Sequence, residues 1–136
     1  MRVFLDANVL FSAAKTDGAV RALLRLLRSQ GHECWADGYV VNEARRNLLA
    51  KGPEALEALG SILAAICVSP VQVVEAPLQD LQWLPEKDRP VLASAIRLQC
   101  DVLVTGDRHH FGAGYGKTYG GVTIHSPRSL AESLVR

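Results

Sequence analysis

The chain of 136 residues has the length of one domain, and its 49% hydrophobic and 21% charged residues are enough for a globular core. No apolar run approaches the roughly 20 residues that cross a bilayer, and the first residues lack the charged, apolar and small-residue zones of a secretory signal. A formal net charge of +1 neither requires nor excludes a nucleic-acid partner.

The cysteines indicate a reducing compartment. Cys34, Cys67 and Cys100 are widely spaced and form no CxxC pair. An odd number of such thiols is typical of neither a disulfide framework nor a zinc site. We therefore predict buried, reduced thiols in a cytoplasmic protein.

The chain opens on two apolar runs, residues 3–5 and 9–11, with Asp6 and Asn8 between them. A continuous apolar run rich in β-branched and aromatic residues predicts a strand buried on both faces of a parallel sheet. Asp6 falls where this strand ends, which is the side of a parallel sheet where ligands bind. A carboxylate there is costly unless a positive charge meets it, so we predict a metal ion at Asp6.

Alternating elements are predicted along the first half of the chain. A turn at residues 12–17 precedes a helix that carries an apolar stripe and ends at Gly31. A strand at 33–36, helices at about 40–49 and 53–66 and a strand at 71–74 follow.

The second half of the chain repeats this alternation. Residues 76–87 carry two prolines and no clear period, and we interpret them as an ordered connection. Then come a helix at 90–99, a strand at 102–104, a glycine-rich loop at 112–121, a strand at 122–124 and a helix at 127–135. Such alternation predicts an α/β fold with a mainly parallel sheet, as a single domain over residues 1–136.

Four carboxylates occupy places where the predicted elements meet. They are Asp6, Glu43, Asp88 and Asp107. The strand ends at Asp6 and Asp107 share one edge of a parallel sheet, and the helices that carry the other two acids begin near that edge. A lone aspartate is explained equally well as an N-cap or a turn residue. The set as a whole favours one acidic pocket, since perturbed acids cluster at functional sites.

An acidic pocket of this kind needs a cation. Like charges raise one another's pKa and titrate as a coupled set, and a divalent cation relieves their repulsion. Hard oxygen ligands suit Mg²⁺ or Mn²⁺ better than zinc. Such ions activate a water and stabilise the leaving oxygen of a phosphodiester. The acids therefore point to metal-assisted hydrolysis of a phosphodiester.

Four segments in this order, FLDANVLFSA, VVNEARRNL, EKDRPVLASAI and DVLVTGDRHHF, resemble the PIN-domain family of metal-dependent ribonucleases. The resemblance covers nearly the whole chain. It implies a three-layer α/β/α sandwich around a mainly parallel sheet, and an acidic site that cleaves RNA. It assigns Mg²⁺ or Mn²⁺ binding to Asp6, Glu43, Asp88 and Asp107, with Asn8 and Thr105 supporting the site.

The last of the four segments, DVLVTGDRHHF, indicates which partner proteins to expect. Its TGD form resembles the branch of VapC-like toxins in toxin–antitoxin pairs, which implies an antitoxin protein and a homodimer as partners. The motif also departs from the family, because many relatives carry another acid two or three residues beyond the last aspartate. This chain has His109 and His110 there. They are candidates for contact with phosphate or a leaving group, and the interpretation we favour is that they are solvated loop residues. We also interpret Asp101 as structural and Asp37, in a turn, as no ligand.

Arginines follow three of the acids, and they offset the repulsion between an acidic pocket and a polyanion. Balancing local charge on solvated faces explains them equally well. Arg108 is our first candidate for a phosphate contact, Arg89 is a second, and Lys117 is weaker. Trp35, Trp83 and Tyr115 are candidates for stacking on bases. For Trp35, in a strand, we favour a place in the core, and packing or a dimer contact explains Trp83 equally well.

The leading hypothesis is a Mg²⁺- or Mn²⁺-dependent endoribonuclease acting through a metal-activated water. An alternative from another class is a catalytically silent module whose acidic pocket grips an arginine of a partner protein. A third hypothesis is a phosphotransfer receiver domain or a phosphatase. It fits poorly, because Asp6-Ala7-Asn8 lacks the second acid that those folds place near the first.

Overall fold

The computed structural model describes residues 1–71 and 81–135. Within them one sheet is built from six strands: β1 (Arg2–Leu5), β2 (Glu33–Asp37), β3 (Cys67–Ser69), β4 (Val102–Val104), β5 (Thr118–Tyr119) and β6 (Val122–His125). Their order is β3-β2-β1-β4-β6-β5, and every neighbouring pair is parallel except β5 and β6. The carboxyl ends of the central strands β1 and β4 therefore lie side by side at the same end of the sheet.

Helices alternate with these strands. They are α1 (Ala7–Lys15), α2 (Ala19–Ser29), α3 (Gly38–Lys51), α4 (Leu56–Ala64), α5 (Arg89–Arg97), α6 (Arg108–Phe111) and α7 (Pro127–Leu134), with 3₁₀ turns at Pro53–Ala55, Glu86–Asp88 and Gly112–Gly114. The α/β/α sandwich with a mainly parallel sheet is confirmed. In the part of the chain described, no helix has the length and apolar character needed to cross a membrane.

The apolar run at residues 3–5 forms the centre of the sheet, as its composition predicts. Val3, Phe4 and Leu5 are completely buried, and so are Leu103 and Val104 on the neighbouring β4. Strands covered on both faces need no polar alternation. The polar residues that follow β1 and β4 are therefore the first side chains free to face a cleft.

The second apolar run belongs to a helix, and the predicted turn at 12–17 begins too early. Asp6 is the N-cap of α1, and its side chain accepts a hydrogen bond from the Ala7 amide. Val9 and Leu10 are buried on one face of that helix, which ends at Lys15. A short apolar run alone does not separate helix from strand, and here the capping aspartate starts the helix.

Two further stretches differ from the predicted local structure. The strand β3 lies at Cys67–Ser69, where no element is predicted. The predicted strand at 71–74 is untested at 72–74, which lie outside the described residues, as do 76–80 of the predicted connection. The glycine-rich loop holds β5, which pairs with β6 through a turn where Gly120 and Gly121 have φ of 55° and 85°. Two consecutive positive φ values suit a tight hairpin, and the loop is therefore partly a strand.

The cysteine prediction is wrong for Cys67, which is exposed on the edge strand β3, and it holds for Cys34 and Cys100, which are buried. Burial raises the pKa of Cys34 to about 11 and that of Cys100 to about 12. These two thiols therefore stay protonated and unreactive near neutral pH.

Candidate metal centre at the strand ends

The structure brings all four predicted acids to one open cleft of about 410 Å³, at the carboxyl ends of β1 and β4. Asp6 follows β1, Asp107 lies three residues beyond β4, Glu43 is on α3, and Asp88 ends the 3₁₀ turn before α5. Asn8 and Lys87 also line the cleft. Parallel strands and the helices that follow them explain this convergence.

Asp6 is the most buried of these acids, at 5% exposure. Its Oδ1 accepts a hydrogen bond from the Ala7 amide at 2.7 Å, and its Oδ2 accepts from Thr105 Oγ1 at 2.8 Å and Asn8 Nδ2 at 3.1 Å. Burial raises the pKa of Asp6 to about 6 despite these bonds, and the negative charges of Glu43 and Asp88 act in the same direction. At neutral pH its carboxylate is therefore an ionised group that a cation would stabilise.

Asn8 and Thr105 tie the ends of β1 and β4 together. Asn8 Oδ1 accepts from the Gly106 amide at 2.7 Å, and Thr105 Oγ1 accepts from the Asp107 amide at 3.2 Å. A Cβ at Gly106 would lie 3.3 Å from Asn8 Oδ1, so a side chain there would press on this contact. These bonds hold Asp6 and Asp107 in a fixed relation.

Asp88 and Asp107 share one neighbour, His110. Its Nδ1 lies 2.9 Å from Asp107 Oδ2 and 3.0 Å from Asp88 Oδ2, and only the contact with Asp107 has hydrogen-bond geometry. Asp88 Oδ2 is buried and accepts no hydrogen bond from the described residues. Burial raises the pKa of Asp88, an effect that the nearby His110 partly offsets.

Glu43 is held near these acids by the start of its helix. Asp37 is the N-cap of α3 and accepts from the Val40 amide at 3.1 Å. The Tyr39 hydroxyl, one turn before Glu43, donates to the Lys87 carbonyl at 2.6 Å. Tyr39 therefore links the helix of Glu43 to the turn that carries Asp88.

Asp37 ends β2 and does not lie in a free turn as expected. It is 2% exposed, and its Oδ2 accepts from Ser94 Oγ on α5 at 2.6 Å. Asp37 is absent from the lining of the cleft. Its side chain joins α3 to α5 inside the protein.

The interpretation of His110 as a solvated residue is wrong. Its side chain is 23% exposed and faces the two acids from the one-turn helix α6, whereas His109 is exposed. The i, i+3 spacing from Asp107 was the available signal, because it places two side chains on one face once a helical turn forms. Sequence reasoning also did not predict that Lys87 lines the cleft, because no spacing or motif around it indicates that position.

The two candidate RNA-binding arginines differ. Arg89 is half-buried, its Nε donates to the carbonyls of Leu81 and Leu84 at 3.2 and 3.0 Å, and it does not line the cleft. These bonds give Arg89 a role within the fold, and its contact with RNA stays a prediction. The Arg108 side chain is exposed and makes no hydrogen bond or ion pair with a described residue, whereas its backbone amide donates to the Gly106 carbonyl at 3.0 Å.

The aromatic side chains pack within the chain. Trp83 stacks on Tyr119 with ring centroids 5.0 Å apart and meets Phe111 edge-on at 6.2 Å. The Tyr115 hydroxyl donates to the Thr105 carbonyl at 2.8 Å, and Trp35 is half-buried against the core. These contacts confirm packing for Trp83 and Trp35.

Together the fold and the cleft define an α/β/α domain with an acidic site at the ends of its central parallel strands. A family model described as the PIN domain matches residues 2–109. The chain therefore belongs to the PIN-domain family, as its four motifs predict. No curated protein sequence matches the chain.

Solved structures share this fold at low sequence identity. VapBC2 of Rickettsia felis, solved with a DNA fragment from its promoter, superposes with a TM-score of 0.66 at 14% identity, covering 93% of this chain and 98% of that one. VapC20 of Mycobacterium tuberculosis, a sarcin–ricin loop cleaving toxin, gives 0.59 at 16% identity over 85% and 98%. VapBC-1 of nontypeable Haemophilus influenzae gives 0.59 at 12% identity over 94% and 99%.

Proposed function

We propose that this protein is a metal-dependent endoribonuclease, the toxin of a toxin–antitoxin pair. The observation that carries the proposal is the convergence of Asp6, Glu43, Asp88 and Asp107 on one cleft. Membership of the PIN-domain family and a fold shared with a toxin that cleaves the sarcin–ricin loop support it.

The donor set of the cleft fits a hard divalent ion such as Mg²⁺ or Mn²⁺. Carboxylate oxygens are the ligands these ions prefer, and the buried Asp88 Oδ2 accepts no hydrogen bond from the described residues. Asp6, Asp88 and Asp107 would hold the ion directly or through water, and Glu43 would hold it or orient a water. When bound, the ion supplies a water of lowered pKa and a positive charge for the phosphodiester oxygens.

The remaining residues of the cleft position these acids and the RNA. Asn8 and Thr105 keep the Asp6 carboxylate fixed through hydrogen bonds of 3.1 and 2.8 Å. Lys87 lines the cleft and Arg108 stands exposed beside it, so both are placed for phosphate oxygens. A site that repels a polyanion through its acids needs such cations at its rim.

The proposed partners extend beyond RNA. The Rickettsia and Haemophilus structures carry the VapBC name, and a further match at 19% identity is FitAB bound to a DNA fragment. By this analogy an antitoxin would bind this chain, and the family resemblance implies that two copies form a homodimer. Both partners, together with a cytoplasmic location, belong to the proposal.

The test is cleavage of a panel of cellular RNAs by the wild type, Asp6→Asn and Asp17→Asn, with Mn²⁺ and with EDTA. Asp17 is an exposed acid paired with Arg25 at 3.0 Å, so its variant is a matched control. We expect metal-dependent cleavage by the wild type and Asp17→Asn, and a loss of at least about 1,000-fold, or about 4 kcal/mol, in Asp6→Asn. Equal cleavage in EDTA, or by Asp6→Asn, would reject the mechanism, while binding of an arginine-bearing protein without cleavage would support the silent module.

A further inference from the structure

His110 does not line the cleft itself, but it places a nitrogen donor against two of the acids that do, Asp88 and Asp107. We propose that His110 Nδ1 is a direct ligand of the ion, alongside Asp88 and Asp107, and that the site therefore selects Mn²⁺ over Mg²⁺. The inference rests on the proposed function, because it concerns the ion of that same site.

The three donor atoms already have the spacing of ligands around one ion. One ligand atom from each of the three side chains lies within 4.8 Å of the others. His110 Nδ1 is 2.9 Å from Asp107 Oδ2 and 3.0 Å from Asp88 Oδ2. Adjacent ligands of an octahedral ion at about 2.1 Å are about 3.0 Å apart. Little rearrangement of these side chains is therefore needed for them to surround a cation.

The Asp88 carboxylate indicates that a partner is missing from this arrangement. Its Oδ2 is buried, and it accepts no hydrogen bond from the described residues although His110 Nδ1 is 3.0 Å away. One ring nitrogen cannot make full-strength hydrogen bonds to both carboxylates with a single proton, and its geometry serves Asp107 and not Asp88. A buried carboxylate oxygen left without a donor is costly, and a shared metal ion removes that cost for both acids.

The local structure holds the imidazole in place. The His110 amide donates to Asp107 Oδ1 at 3.1 Å, which closes the one-turn helix α6. The next residue, Phe111, is fully buried and anchors the end of that turn. His109, one position earlier, is exposed. Only one of the two adjacent histidines is therefore built into the site.

The chemistry of the donors sets the expected ion. Imidazole is a ligand of first-row transition ions, of which Mn²⁺ is the one that also accepts carboxylate oxygens, whereas Mg²⁺ requires oxygen ligands and gives up its water reluctantly. Replacing a carboxylate by imidazole also removes one negative charge from the site. The loss of charge weakens the binding of both divalent ions, whereas the nitrogen donor favours Mn²⁺ over Mg²⁺.

The test measures metal binding directly in the wild type, His110→Ala, His110→Asp and the matched control His109→Ala. Calorimetric titration gives the affinities for Mn²⁺ and Mg²⁺, and pulsed EPR of bound Mn²⁺ detects a coupled ligand ¹⁴N. We expect the ¹⁴N coupling in the wild type and His109→Ala only, with Mn²⁺ affinity lower by on the order of 10- to 100-fold in His110→Ala. His110→Asp should bind Mg²⁺ more tightly than the wild type does.

The outcomes separate this inference from the proposed function. Wild-type protein that binds Mn²⁺ without ¹⁴N coupling would overturn the His110 assignment, and so would equal Mn²⁺ affinity in His110→Ala. The EPR measurement on the wild type does not depend on whether the variants fold. Mn²⁺ binding with ¹⁴N coupling but without RNA cleavage would instead contradict the nuclease while leaving the ligand in place. Failure of the wild type to bind either ion would reject both.

Discussion

Asp6 and Asp37 occupy the same position in neighbouring parallel strands. Each follows or ends its strand, is nearly buried and caps the next helix. Each also accepts a hydrogen bond from a hydroxyl far away in the sequence, Asp6 from Thr105 at 2.8 Å and Asp37 from Ser94 at 2.6 Å. By local criteria the two aspartates are equivalent.

Their surroundings differ. Asp6 faces the cleft, where Glu43 and Asp88 add negative charge, whereas Asp37 faces Ser94 on α5 and lines no part of the cleft. The Asp6 carboxylate is therefore repelled by the neighbouring acids, whereas the Asp37 carboxylate makes a hydrogen bond that joins α3 to α5. An aspartate between a strand and a helix serves as the N-cap of that helix. It becomes part of a candidate metal site only where other acids lie close to it.

The largest effect on stability is expected at Asp37. Asp37→Ala removes an N-cap and leaves the buried Ser94 hydroxyl without its acceptor, so the free energy of unfolding should fall by about 2–4 kcal/mol. Urea unfolding at pH 7.5 measures this change. Adding Ser94→Ala to this variant should recover part of the loss, because it removes the unpaired hydroxyl. A loss below about 1 kcal/mol would contradict the structural role of Asp37.

Substitution of Asp6 should raise the free energy of unfolding at neutral pH, whereas substitution of Asp37 should lower it. The Asp6 pKa of about 6 in the folded protein is above the ordinary 3.8, so its protonated form is favoured by folding. The stability it contributes is complete below pH 3.8 and is lost as the pH rises through about 6. Asp6→Asn removes an ionised buried group at pH 7.5 but also weakens its hydrogen bonds. We expect the metal-free variant to gain about 1–2 kcal/mol at that pH.

Unfolding at two pH values checks the behaviour of Asp6. The gain in Asp6→Asn should shrink as the pH falls from about 6 toward 3.8 and disappear below it, where the wild-type side chain is protonated in both the folded and the unfolded state. Addition of Mn²⁺ should stabilise the wild type and leave Asp6→Asn nearly unchanged, since binding to the folded state alone raises stability. An equal loss of stability at both pH values would show that burial does not disfavour the charge of Asp6.

The smallest effect is expected from a second matched pair, Arg108 and Arg89, each of which directly follows a site aspartate. Arg108→Ala should weaken RNA binding by a few fold and reduce the salt slope by about one, because it removes a phosphate contact. Arg89 donates to backbone carbonyls, so Arg89→Ala should lower stability and leave the salt slope unchanged. Binding isotherms over a salt series would exclude Arg108 if its variant matched the wild type.

Sequence reasoning was most successful where the chemistry is local. The apolar run at 3–5 required a buried strand, and parallel strands share an edge, so Asp6 and Asp107 were expected to lie together. The motifs placed Glu43 and Asp88 beside them. Position in the cleft was therefore predictable for all four acids, and their roles as metal ligands stay a prediction.

Only the tertiary structure decided the partners of these residues. In the folded protein the His110 side chain contacts both Asp88 and Asp107, although Asp88 is 22 residues away along the chain. Asp37 accepts a hydrogen bond from Ser94, which is 57 residues away. Periodicity and capping signals extend over a few residues, so they identify strands, helices and their ends. Which distant side chain satisfies a buried carboxylate depends on how those elements pack, and no local pattern contains that information.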